Sequence, residues 1–458
     1  MLALGTLLAS GQTPAGELPA AMTEALQDAG IPTRALAVVV LPVDGGPALL
    51  SHNSRQAMNP ASAIKLLTTY AGLELLGPAH TWRSDALAEA VPSNGRLDGH
   101  LYLRGNGDPK FSAEHFWLLL RQLRARGVSD IRGDLILDRS AFAPAEHHPG
   151  DFDNEPLRPY NAGPDALLIN LKSVQLTLQP DLPRKAVKVI VDTPSDGLQI
   201  SNRLQLGRDT CGDWREQVKA SVSGLTIDLS GVFSAACGEK SLHLSPWPAE
   251  VQVEVLFRSL WRELGGTFGG RVRDGRTPVT ARTLATHESP ALSEIVRDIN
   301  KNSNNVMARQ LFLSLDSERP ATAEGARRRI AAWLQEKGLR MPELVLDNGS
   351  GLSRKERIAA ESLAQLLQAA WQSPVMPELL ASLPVAGVDG TLRKRLNSSA
   401  ASGRAHLKTG YLEGVRAIAG YVLDHSGQRW IVVCLLNDAQ ARLGKPALDA
   451  LLLWVAKR

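Results

Sequence analysis

The rhythm of apolar and polar residues changes twice along this chain. Ala35 to Leu41 is a continuous apolar run and Pro47 to Ser51 is a second β-like run, with Asp44-Gly45-Gly46 between them. Two such runs around a Gly-rich turn predict a hairpin. An apolar stretch then begins at Asn59-Pro60 and stops at Gly77-Pro78. A capping Asn, a first-turn Pro and a Gly-Pro stop predict a buried helix. From about Ala79 to Gly270 the rhythm shortens. Leu101 to Leu103, Asp134 to Asp138, Val187 to Val191 and Leu225 to Leu229 read as short strands, interrupted by one helix-like piece, Ala113 to Arg126. Ala143 to Pro164 reads as a polar loop rich in Pro and His. Helical spacing returns over Val251 to Leu264, from Ser289-Pro290 onward (Ser as N-cap, Pro in the first turn), over Ala321 to Gly338 and over Ala360 to Trp371. Strand-like runs at His406 to Gly410, Ala417 to Leu423 and Trp430 to Leu436 precede a terminal helix around Ala447 to Val455. The two ends therefore read as halves of one α/β domain, and the β-rich middle as an insertion.

Size and composition narrow the class. At 458 residues the chain has room for about three domains, and its 44% hydrophobic and 21% charged residues are those of a globular protein. A formal charge of +4, without dense basic runs or interleaved aromatics, gives no support for nucleic-acid binding. It is compatible with association at an anionic wall or membrane surface, but not with embedding, since no run reaches the ~18–20 apolar residues of a span. Met1 to Gly11 resembles the apolar region and small-residue end of a secretory signal without a basic leading segment, the first Arg or Lys being Arg34. Of three cysteines, Cys211 and Cys237 share a polar, Gly-containing setting that would suit a disulfide in an oxidising compartment, while Cys434 sits in a buried-strand pattern. No Cys/His spacing matches a zinc site, and His147-His148 reads as a solvated loop, so no metal or organic cofactor is implied.

Candidate chemistry centres on Ser62 and Lys65. Three residues apart, they stack on one helix face, where a neutral lysine amine can take the serine proton. Burial or a neighbouring cation is needed to keep that amine neutral. Ser62 also lies in the first turn, whose free N–H groups can bind an oxyanion. A lone Ser-x-x-Lys is more often a cap and a surface lysine. Two later pieces change the balance: Ser303-Asn304-Asn305, 241 residues after Ser62, and Lys408-Thr409-Gly410 in a strand-like run. Leu346 to Ser353 contains a Gly-Ser-Gly turn without the spacing of a hydrolase nucleophile elbow, so Ser350 reads as a turn residue.

This ordered set resembles that of penicillin-binding proteins and serine β-lactamases. The long gap before Ser303, the Gly105-Asn106-Gly107-Asp108-Pro109 turn, Gly349-Ser350-Gly351-Leu352 and Val388-Asp389-Gly390-Thr391-Leu392 resemble the low-molecular-mass D-alanyl-D-alanine carboxypeptidase/endopeptidase family. The resemblance implies a penicillin-binding/β-lactamase-like α/β fold, an antiparallel sheet flanked by helices, carrying two nested mostly-β inserted domains. The implied boundaries are 1–77 with 268–458 for the catalytic domain, 78–104 with 166–267 for one insertion and 105–165 for the other. It also implies roles: Ser62 as acyl-accepting nucleophile, Lys65 as base and Ser303 as proton relay. Asn305, Lys408, Thr409 and Gly410 would hold the substrate, with Lys408 as the cation that keeps Lys65 neutral. The N–H groups of Ser62 and Tyr411 would form the oxyanion hole. Two residues depart from the family pattern: Tyr411 replaces a small Ser or Thr, and Asn304 replaces Asp.

The implied activity is hydrolysis of terminal D-Ala-D-Ala in peptidoglycan stem peptides, extending to peptide cross-links, in the periplasm or outside the cell, with β-lactams as covalent ligands. Two rivals differ in kind. A β-lactamase or esterase of the same fold needs a dedicated water-activating residue, and none stands out. A non-catalytic wall-binding protein, with Tyr411 blocking the site, would leave Ser62 inert.

Overall fold

The computed structural model describes residues 16–458. The signal-like segment Met1 to Gly11 lies outside the described residues. The described chain divides into two compact units, one formed by residues 16–74, 296–303 and 330–458, the other by 75–295 and 304–329.

The first unit is built on a five-stranded antiparallel sheet. Its order is Ala405–Leu412, Val415–Leu423, Arg429–Asn437, Leu36–Pro42 and Leu50–His52. The N- and C-terminal strands thus pair side by side, Val38 opposite Cys434, which is why the two ends of the sequence read as halves of one domain. The central strands are apolar without alternation because both faces are covered. Val38, Val40, Val432, Cys434 and Leu436 pack with Met22 and Leu26 of the helix Ala20–Asp28 and with Leu448, Leu451, Leu452 and Val455 of the helix Lys445–Ala456. On the opposite face, Tyr421 donates its hydroxyl to Leu367 O (2.7 Å) in the helix Ala360–Trp371. The hairpin, the 360–371 helix and the three C-terminal strands fall where the hydrophobic pattern puts them.

The helix after Asn59 differs in its first turn. Ala61–Ile64 is a 3-10 turn, and the α-helix proper runs Lys65–Leu76. Asn59 Oδ1 accepts the Ala61 N–H at 2.8 Å, a capping contact, and Ala61 itself takes φ +44°. Residues 65 to 73 are all buried, so this helix is surrounded by protein rather than amphipathic.

The second unit contains a six-stranded sheet in the order Val218–Ser223, Thr226–Ser234, Gln199–Gly207, Ala186–Val191, Val174–Asp181 and Lys240–Leu244. A five-stranded mixed sheet runs Val272–Asp274, Leu135–Asp138, Leu101–Gly105, Arg83–Ala88 and Arg282–Glu288. The first packs a core around Leu176, Ile227 and Phe233, and the second a core with Phe116 and Leu120 of the helix Ala113–Ala125 and Phe257 and Trp261 of Ala249–Glu263. Cys211 and Cys237 are joined as a disulfide beside the first of these cores. Gly107 turns with φ +87° and donates its N–H to Ala166 O, so the Gly-x-Gly segment is a turn.

One capping expectation fails. The helix expected from Ser289-Pro290 begins at Leu292, and Ser289 is not its cap: Ser289 Oγ accepts the Trp82 N–H at 2.9 Å instead. Neighbouring chain competed for the hydroxyl, a choice that local sequence does not encode. His147 donates to Asn161 O at 2.7 Å, and among the described residues no three His, Cys, Asp or Glu side chains gather as a metal site. Nor does any described helix have the length and apolarity to cross a membrane.

Candidate active site

The site is assembled within the first unit from five short segments. Lys65, wholly buried, holds its Nζ 2.9 Å from Ser62 Oγ and also donates to the carbonyl of Ser350. The 3-10 geometry over residues 61–64 stacks Ser62 above the helix start and brings the two side chains together. Thr68, one turn on, donates to Gly349 O at 2.7 Å. The Gly349–Gly351 turn therefore lies directly against the serine segment. A Cβ on Gly351 (φ +81°) would come within 2.1 Å of Ala61 O and 2.7 Å of Ser62 N, so only glycine fits. Ser350 spends its own hydroxyl on Asn348 Oδ1 (2.7 Å), as a turn residue does, while its carbonyl reaches the lysine.

A second serine–lysine pair borders the first. The helix Leu292–Asn302 ends at Ser303, which takes φ +55°, and Lys408 Nζ donates to Ser303 Oγ at 2.8 Å and to Thr409 O at 2.7 Å. Lys408 lies on the edge strand Ala405–Leu412, and that strand packs on the Ser62 turn. A Cβ on Gly410 would stand 2.7 Å from Pro60 O and 3.1 Å from the Ala61 Cβ. Side chains alternate along a strand, so Lys408 and Gly410 face the serine turn while Thr409 and Tyr411 face the terminal-helix side. Thr409 Oγ1 sits 2.9 Å from Thr391 Oγ1, and Tyr411 is 58% exposed, which leaves it outside the serine–lysine cluster.

The Val388-Asp389-Gly390-Thr391 segment ties these parts together. Lys301 Nζ bonds Asp389 Oδ2 and Leu383 O, both at 2.6 Å, and Asp389 Oδ1 accepts the Val385 N–H. Burial works against the charged Asp389, but the Lys301 ammonium holds its carboxyl below the ordinary range. One clamp thus fixes the helix end that carries Ser303 and the loop that carries Thr391. Asn304, the residue that departs from the family pattern, caps the next helix, its Oδ1 accepting the Met307 N–H at 3.0 Å. Asn and Asp serve that cap equally well. Asn305 is the first residue of that helix, Asn305–Ser314, whose chain from Asn304 onward belongs to the second unit.

Charge in the cluster departs from expectation in one respect. The resemblance implies a standing cation at Lys408, but its burial is complete and pulls its pKa down to about 7. At neutral pH it is therefore not a fixed positive charge, and an approaching carboxylate would restore its proton. The sequence reading also missed Glu356. This fully buried carboxylate accepts the N–H groups of Asn348 (3.2 Å) and Gly349 (3.0 Å) with one oxygen, and its other oxygen has no hydrogen-bond partner among the described residues. Burial pushes its pKa up to about 7; the Asn348 and Gly349 N–H groups and Lys65 pull it back, and Asp347 adds to the rise. Nothing in the local sequence Arg354-Lys355-Glu356-Arg357 marks it, because all four residues are charged and the pattern reads as surface.

Residues 18–458 match the model of a family described as D-Ala-D-Ala carboxypeptidase 3 (S13). A D-alanyl-D-alanine carboxypeptidase of Actinomadura sp. (strain R39) is 31% identical over 88% of this chain and 78% of its own. The crystal structure of penicillin binding protein 4 (dacB) from Haemophilus influenzae superposes with TM-score 0.80 at 24% identity, covering 95% of this chain and 99% of that one. A predatory endopeptidase from Bdellovibrio bacteriovorus, acylated by penicillin G, shares the fold more distantly (TM-score 0.53, 13% identity, 91% of this chain and 89% of that one).

Proposed function

Since this chain belongs to the D-Ala-D-Ala carboxypeptidase 3 (S13) family of serine peptidases, we propose that Ser62 is its acylated nucleophile and that Lys65 is the base. The pairing of each serine with a buried lysine, Ser62 with Lys65 and Ser303 with Lys408, carries this reading.

The steps follow from the donors and acceptors. Ser62 Oγ attacks the carbonyl carbon of the penultimate D-Ala, and its proton passes to the Lys65 amine. The N–H groups of Ser62 and Tyr411 stabilise the oxyanion. When the C–N bond breaks, the departing amine takes its proton through the Ser303 hydroxyl. Asn305 holds a substrate amide. Thr409, with Lys408 behind it, receives the terminal carboxylate, and Gly410 lets the substrate backbone lie along the edge strand. Water then hydrolyses the Ser62 ester and regenerates the free serine.

Substrates would be peptidoglycan stem peptides and, as an endopeptidase, their cross-links; β-lactams would acylate the same serine. The Cys211–Cys237 disulfide supports a periplasmic or extracellular setting, because such bonds persist in oxidising compartments. Benzylpenicillin followed by intact-mass spectrometry tests the assignment. A stable adduct on Ser62 that disappears in Ser62→Ala is expected, together with loss of D-Ala release by a factor on the order of 10⁴ or more. Rapid penicillin turnover without an adduct would turn the reading toward a β-lactamase.

A further inference from the structure

On the terminal-helix side of the edge strand, beyond Thr409, the structure holds a recess of about 270 Å³. Thr391 and Thr409 form one wall and Tyr411 another, and Lys394, Arg395, Arg416 and Lys445 supply the rest of the polar lining. Among the described residues, the ion pair formed here joins Arg395 Nε to Asp449, and Arg395 Nη2 is buried without a hydrogen-bond partner. Arg416 is already held in place: its Nε donates to Ala441 O (2.9 Å), its Nη2 to Arg442 O (3.0 Å), and its guanidinium lies 4.8 Å from the centre of the Tyr411 ring. Among the described residues Lys394, Arg416 and Lys445 form no ion pair, Asp449 acting on Arg416 only through space, and the Arg395 and Arg416 guanidinium groups are fixed by Asp449 and by backbone carbonyls. Fixed, partly desolvated cations bind carboxylates with little ordering cost.

The position of the recess points to its occupant, on the reading that Thr409 receives the carboxylate of the leaving residue. The recess opens at that hydroxyl, on the leaving-group side of the scissile bond. When the substrate is a single stem peptide, the leaving group is one small amino acid and needs no further room. When the substrate is a cross-link, the leaving amine belongs to a second peptide that carries carboxylates of its own.

We propose that this recess is a leaving-group subsite that binds a carboxylate of the second peptide in a cross-linked substrate, through Lys394, Arg416 and Lys445. Tyr411, in place of a small residue, forms the platform on which Arg416 rests, so this departure from the family pattern serves the subsite and does not obstruct the serine.

The experiment uses the full chain and two substrates, a monomeric stem peptide ending in D-Ala-D-Ala and a cross-linked dimer of stem peptides. The variant Lys394→Glu/Lys445→Glu reverses the two exposed charges, with the melting temperature checking that it folds as the wild type does. Expected is a fall of about tenfold in the ratio of kcat/KM for dimer to kcat/KM for monomer, shrinking as salt is raised because the interaction is screened. An unchanged ratio overturns the proposal, as does a wild-type protein that releases D-Ala from monomer but leaves the dimer uncut. A wild type with neither D-Ala release nor a penicillin adduct would instead sink the Ser62 reading on which the subsite rests.

Discussion

Glu356 and Lys408 are buried ionisable groups whose effects on stability run in opposite directions with pH. Glu356 has its folded pKa raised to about 7 from an ordinary 4.5. Its contribution to stability is complete below 4.5 and is lost as pH rises through 7, because the folded state must then hold a buried charge. At ~1.4 kcal/mol per pH unit that loss is roughly 3 kcal/mol. Glu356→Gln keeps an oxygen for the Asn348 and Gly349 N–H groups and cannot ionise. Urea midpoints should therefore show the variant gaining on the wild type by roughly 3 kcal/mol between pH 4.5 and pH 8. A difference that stays flat with pH would mean that Glu356 does not titrate in this range. Lys408 has a depressed folded pKa, about 7 against 10.5, so its contribution is present above 10.5 and lost as pH falls through 7. Lys408→Met should remove that acid-side loss while abolishing recognition of carboxylate-ended peptides, seen as a KM that cannot be saturated. Ser62 and Lys65 were legible in the sequence because a helix fixes residues three apart on one face. Glu356 was not, since its environment comes from a turn folding back over it rather than from its neighbours in the chain.

Among the elements, the Gly349–Gly351 turn shows how little room the serine segment has. Gly351→Ala must find space for a Cβ within 2.1 Å of Ala61 O at a φ of +81°. The backbone of the Ser62 turn has to shift, at a cost of roughly 1–3 kcal/mol for the strained conformation alone. Acylation by a fluorescent penicillin should slow at least tenfold, with a lowered melting temperature; normal acylation in a normally stable variant would show that the turn does not set the nucleophile. The Asp389 clamp makes a related case. Asp389→Asn weakens the contact with Lys301 and should loosen both Ser303 and Thr391, lowering kcat more than it raises KM. Strands and helices were readable in place because apolar runs bounded by Gly, Pro and Asn mark the buried elements, and a 3.6-residue period marks amphipathic helices such as Ala249–Glu263. Their ends were less so: the helix after Ser289 starts at Leu292 with Ser289 bonded to Trp82, and the Ser62 turn opens as a 3-10 turn from Ala61, which takes φ +44°.

At the scale of the whole molecule, the nucleophile segment and the edge strand that covers it come from opposite ends of the chain, with the second unit formed largely by the residues between. The Cys211–Cys237 bond closes a 26-residue stretch in that second unit, beside a core that shares no residue with the core of the sheet. Replacing both cysteines by serine should lower the stability of the second unit by about 3 kcal/mol, as calorimetry would register, while a penicillin adduct on Ser62 still forms. Loss of the adduct in the folded variant would show that the two units do not act separately. The sequence by itself determined the order of the elements, the three short motifs and the gap between them, because hydrophobic period and motif spacing are written along the chain. Only the tertiary structure decided which groups meet: Lys65 with the Ser350 carbonyl, Ser303 with Lys408, Thr391 with Thr409, and Tyr411 with Arg416 over the cationic recess. It also decided the charge of Lys408 and Glu356. A pKa near 7 in either group is a property of burial, and burial belongs to the folded chain.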